Sequence, residues 1–75
     1  MKMIKIDVIG MTSDESVSRI NGALGDIPGV KIVDMDLKGN AVYVIINDGI
    51  DIEHIKNIIK NAGYNPGLHI TWIID

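Results

Sequence analysis

The sequence has no cysteine, and no other absence excludes as much. A disulfide framework, a thiolate zinc staple and a cysteine nucleophile are all ruled out, so any core has to hold by packing alone. Phenylalanine is missing as well, leaving Trp72 as the largest apolar side chain available. Basic residues are few. Seven Lys and Arg stand against ten Asp and Glu for a formal charge of -3, without the dense basic face that nucleic-acid binding requires. Long apolar runs are also lacking. The longest, from Ala41 to Ile46, falls far short of the roughly 18 residues of a membrane-crossing helix, and no membrane insertion is expected. Lys5 and Asp7 interrupt the first apolar stretch before a signal-peptide core can form, which makes the cytoplasm the expected location. A chain of 75 residues has room for one domain, spanning 1–75, and buries only about 60 to 65% of its unfolded surface.

What is present is an ordered series of periodic segments. Ile4, Ile6 and Val8 alternate with Met3, Lys5 and Asp7 between Lys2 and Ile9, the period of a strand with one buried face. Gly10 ends it. Thr12-Ser13-Asp14-Glu15 fits the S/T-x-x-E capping box, and Val17, Ile20 and Leu24 continue at helical spacing as far as Gly25. Ile27-Pro28-Gly29 signals a turn, after which a second strand from Val30 is expected to turn Val33 and Met35 to the core and Asp34 and Asp36 to solvent. Lys38-Gly39-Asn40 closes a hairpin into a third strand, Ala41 to Asn47, with Val42, Val44 and Ile46 on one face.

Asp51 is the expected N-cap of a second helix carrying Ile52, Ile55, Ile59 and Ala62, with Gly63 as its left-handed stop. A last strand is expected from Leu68 to Ile74, with Ile70 and Trp72 assigned to the buried face. The order strand, helix, strand, strand, helix, strand predicts an α+β ferredoxin-like βαββαβ sandwich. Its four-stranded antiparallel sheet would carry both helices on one face, with the first and third strands in the centre.

Three short motifs bear a resemblance. Gly10-Met11-Thr12 precedes the first helix, Pro28-Gly29-Val30 the second strand, and Ala62-Gly63-Tyr64 follows the second helix. Together they make the chain resemble the heavy-metal-associated domain family of copper chaperones and metal-pumping ATPases, over nearly its whole length. In that family the loop reads G-M-T-C-x-x-C, and two cysteines bind a soft cation such as Cu(I). Ser13 and Ser16 stand here in their places. The resemblance implies that Met11 packs into the core, that Tyr64 lies beside the loop, and that Met11, Thr12, Ser13, Ser16 and Tyr64 are former metal-loop positions. The parent activity it implies is metal carriage.

A serine hydroxyl is neither soft nor anionic, so the two serines do not replace thiolates for Cu(I), and zinc would lack its usual Cys and His donors. No metal or cofactor is therefore expected on the chain as written. Ser13 is read as a helix cap and Ser16 as exposed in the first turn. The pair fits a natural relative that kept the fold and dropped the metal, a chain whose cysteines were deliberately replaced, or a loop that binds something else. Asp14 and Glu15 suit a helix start, but successive helix residues diverge and make a poor hard-cation site. His54 and His69 have no serine, cysteine or carboxylate at a spacing that defines a general-base pair, and no enzyme is predicted.

A second reading comes from a different class. With both helices on one sheet face, the other collects Ile9, Ile32, Tyr43, Ile45 and Ile73. Such a patch suits a protein partner or a homodimer, docked on this face or on an edge strand.

Overall fold

The computed structural model describes residues 1–74. Six elements follow one another, β1 (Lys2–Ile9), α1 (Asp14–Gly25), β2 (Val30–Asp36), β3 (Ala41–Ile46), α2 (Ile52–Asn61) and β4 (Asn65–Ile73). The strands form one antiparallel sheet in the order β2-β3-β1-β4, the ferredoxin-like arrangement. β1 and β3 are thus paired on both sides, and their inward residues Ile4, Ile6, Val8, Val42, Val44 and Ile46 make the floor of the core. Ile20 and Leu24 of α1 and Ile55 and Ile59 of α2 cover that floor. Complete burial of a branched aliphatic side chain contributes about 1.5 to 3 kcal/mol, so this two-layer cluster is what stabilises the domain.

Local chemistry sets the ends of α2. Asp51 is extended, and its carboxylate accepts from the Glu53 N–H at 3.0 Å, capping the start. At the other end Gly63 adopts φ +101°. The Gly63 N–H donates to the Lys60 carbonyl and the Tyr64 N–H to the Ile59 carbonyl, at 3.0 and 3.3 Å. This is a Schellman closure, which needs the left-handed residue that glycine supplies without strain.

Three sequence expectations are corrected here. In β2, Ile32 pairs with Val44 but Asp34 pairs with Tyr43, so Val33 is an extra residue opposite the β3 ladder. The bulge turns Val33 outward, half exposed, while Ile32 faces the helices and packs against the core rather than joining the open face. Met35 keeps its inward place because the bulge resets the alternation.

The strand β4 begins at Asn65, three residues before the expected start. It pairs with β1 from Lys2↔Ile73 to Ile6↔His69, then slips so that Val8 meets Pro66. Cross-strand partners share a face, so Ile70 (opposite Lys5) and Trp72 (opposite Met3) lie on the open side of the sheet, not in the core. Ile73 shares the side of Lys2 and the helices, yet it runs past their cover and is 79% exposed. The slip passes Gly67, where an added Cβ would stand 3.2 Å from the Asp7 Cβ.

The third correction concerns α1. Ser13 is its N-cap, as read from the sequence, but the capping box from Thr12 does not form, and the Glu15 carboxylate turns forward to Arg19 at 2.7 Å instead of back to the cap.

This packing predicts a sharp contrast. Ile59→Ala should cost about 2 to 5 kcal/mol in a denaturant titration, whereas Val33→Ala at the bulge should stay within about 1 kcal/mol.

Candidate functional site

The loop between β1 and α1 is built on two backbone decisions. Gly10 takes φ +98°, a conformation that turns the chain sharply out of the strand. Met11 then folds back under the loop and is fully buried among the core aliphatics, its N–H reaching the Val8 carbonyl at 3.5 Å. Thr12 and Ser13 are left exposed above it.

Ser13 has the extended backbone of a cap, with φ -146° and ψ 166°. Its Oγ accepts from the Ser16 N–H at 3.3 Å and its carbonyl from the Val17 N–H at 3.1 Å. The two hydroxyls also meet, Ser13 Oγ to Ser16 Oγ at 3.2 Å. Ser16 is not the exposed residue expected from the sequence; among the described residues it is the one buried polar side chain, at 7% exposure. A buried hydroxyl needs a partner, and Ser13 supplies it.

Tyr64 approaches from the far end of the chain. The Schellman closure of α2 sets its position, and its Cδ1 lies 3.5 Å from where a Gly10 Cβ would be. The structure therefore gathers Met11, Thr12, Ser13, Ser16 and Tyr64 at one end of the sheet. Met11 lies beneath, the serines form the first turn, and the Tyr64 ring borders Gly10.

These groups do not suit a soft metal ion. Both candidate ligands are neutral hydroxyls bonded to each other, and neither has the polarizable negative charge that selects Cu(I). Among the described residues no three His, Asp or Glu side chains converge in a way that would hold a harder ion. Asp14 and Glu15 diverge, the latter engaged by Arg19.

The sequence pattern of the heavy-metal-associated domain matches residues 5–65. The chain belongs to that family. It is 34% identical over 64 residues to the COP-associated protein of Helicobacter felis, an alignment covering 85% of this chain and 97% of that one. Over 68 residues it is 34% identical to the mercuric reductase of Bacillus cereus, which covers 89% of this chain. The chain spans only 10% of the reductase's length. Among solved structures, the CopZ metallochaperone superposes with a TM-score of 0.81 at 27% identity, covering 87% of this chain and 98% of that one.

The open sheet face also differs from its expected membership. Tyr43 and Ile45 lie there half-buried, and Ile9 is 60% exposed. Met3, Ile70, Trp72 and Val33 join them, while Ile32 and Ile73 belong to the helix side. A lone glycine inside an apolar strand is the usual mark of a bulge, and Gly67 was the available sign that the alternation in β4 changes phase.

The cap geometry makes the serines unequal. Ser13→Ala should lose about 1 kcal/mol of stability by removing the acceptor for the Ser16 N–H. It should also strand the Ser16 hydroxyl, so that the double variant with Ser16→Ala costs less than the sum of the two singles in thermal or urea unfolding.

Proposed function

We propose that this chain is a non-enzymatic docking domain of the heavy-metal-associated family whose cargo loop has become a helix cap, so that as written it carries no Cu(I). The observation that carries the reading is the Ser13–Ser16 hydroxyl pair at 3.2 Å, at the head of a helix that otherwise keeps the family's loop. The name of the mercuric reductase points to mercury, a soft ion that thiolates select and hydroxyls do not. A cytoplasmic location accords with this reading, and residues 1–75 form one domain in it.

The backbone remains compatible with the parental activity of metal carriage. The first turn holds positions 13 and 16 side by side, their hydroxyl oxygens 3.2 Å apart, so cysteines at these two positions would present their sulfurs to one soft ion. The helix start would hold both thiols as thiolates. Met11 would support the loop from below, and Tyr64 would border it.

A second reading is favoured by a separate observation. Met3, Ile45 and Trp72 lie in one row across the open face, and Lys5, Tyr43 and Ile70 in the next; Lys31 and Asp34 end these rows on β2, so the apolar stretch is the part over β3, β1 and β4, with Lys5 inside it. Such a face suits a protein partner. The two readings are compatible, since a domain without cargo still has its docking surfaces.

Titration with Cu(I) under reducing conditions separates cargo from scaffold. The unaltered chain should take up none stoichiometrically, and Ser13→Cys with Ser16→Cys should create a tight site for one ion. A double variant with no such site would overturn the assignment of the loop.

A further inference from the structure

The two edges of the sheet are treated differently by the sequence. An unpaired strand edge presents free N–H and C=O groups to any other strand, and proteins blunt such edges with charges, prolines and bulges. β2 is blunted along its length, by Lys31, Asp34 and Asp36 and by the bulge at Val33. β4 is not. From Asn65 to Ile74 it holds no Asp, Glu, Lys or Arg, and its proline and its bulge are confined to the first third, at Pro66 and Gly67. Residues 69–73 then run in unbroken register on β1 with every side chain exposed.

We propose that this segment is the seam of a reversible two-fold homodimer, in which residues 69–73 of two copies pair antiparallel about Thr71. The proposal deepens the docking reading above, on which it rests, by naming the partner as a second copy of this chain.

Three features favour self-pairing. First, a two-fold axis at Thr71 places Ile70 of each copy opposite Trp72 of the other on the open face, and Thr71 opposite Thr71 on the helix side. Aromatic with β-branched, and threonine with threonine, are cross-strand pairs that stabilise antiparallel ladders. Second, a chain of formal charge -3 brings no charged side chain to the seam, so self-association puts no like charges in contact there. Third, the pairing joins the open-face rows end to end. Ile45, Met3 and Trp72 of one copy continue into Ile70 of the next, and the isolated patch becomes one eight-stranded surface.

Five residues at about 3.4 Å each make a seam near 17 Å long. This buries less than the roughly 800 Å² a side of a standard interface, which makes the dimer weak and dependent on concentration.

Sedimentation of the unaltered chain from about 10 µM to about 1 mM reads this directly. The average mass should rise from that of the 8.2 kDa chain toward twice that value. Emission from Trp72, the single tryptophan, should move to shorter wavelength in parallel as its ring is covered. Thr71→Lys and Thr71→Glu, each at an exposed site, should leave the circular dichroism and the thermal midpoint unchanged. Each alone should associate at least about tenfold more weakly, because two like charges meet on the axis. An equimolar mixture of the two should recover association, and Val33→Lys on the opposite edge should behave as the unaltered chain.

An unaltered chain that stays monomeric throughout overturns the seam but leaves docking of a different protein intact. Association that survives both Thr71 variants and disappears in Ile45→Lys also overturns it, in favour of contact through the open face.

Discussion

Two helices are enough to cover one face of a four-stranded sheet and no more, and the architecture follows from that constraint. Ile4, Ile6 and Val8 on β1, with Val42, Val44 and Ile46 on β3, supply the face that is covered. Because these two strands are central, their inward residues are enclosed on all sides, while the edge strands contribute only partly buried neighbours such as Val30, Ile32 and Met35. The opposite face is left to water by the same geometry, which explains why a chain this short shows Trp72 and Ile70 at its surface. The loop after β1 inherits its place from this arrangement. It leaves a central strand and enters a covering helix, so its first residues stand where the layers meet.

At that junction the replacement of sulfur by oxygen changes the chemistry without changing the frame. A cysteine pair in the first turn presents two anions to solvent and to a cation. The serine pair turns inward instead: Ser13 satisfies the Ser16 N–H and Ser16 is buried against the core. A short hydroxyl with local backbone partners is one of the best helix caps available, and Ser13 acts as one here.

Where the sequence was legible, a single period ran the full length of an element. The alternation in β1 and β3, the spacing of Ile20 and Leu24, and the Asp51 and Gly63 boundaries of α2 were all readable because each rests on local chemistry. The edge strands were not. The extra residue at Val33 breaks the alternation inside β2, so a count fitted to Val33 and Met35 puts Ile32 and Val33 on the wrong faces and only Met35 on the right one. In β4 both sides of the strand are nearly equally apolar, so the pattern itself does not choose a phase, and Ile70, Trp72 and Ile73 were each assigned to the wrong face. The cap was legible in part. Thr12 and Ser13 both carry a hydroxyl, and the pattern offered a capping box from Thr12 beside Ser13 as a cap; only Ser13 caps the helix.

Met11 has a mechanical consequence of its own. The buried interior is otherwise stiff, made of isoleucines and valines with one leucine and one alanine, most of them branched at Cβ and held to few rotamers. Met11 alone is long, unbranched and polarizable. Among the fully buried side chains of the described residues, the most pliable one therefore sits under the loop between β1 and α1. Its rotamers can take up a small shift of that loop before the stiffer side chains behind it have to move.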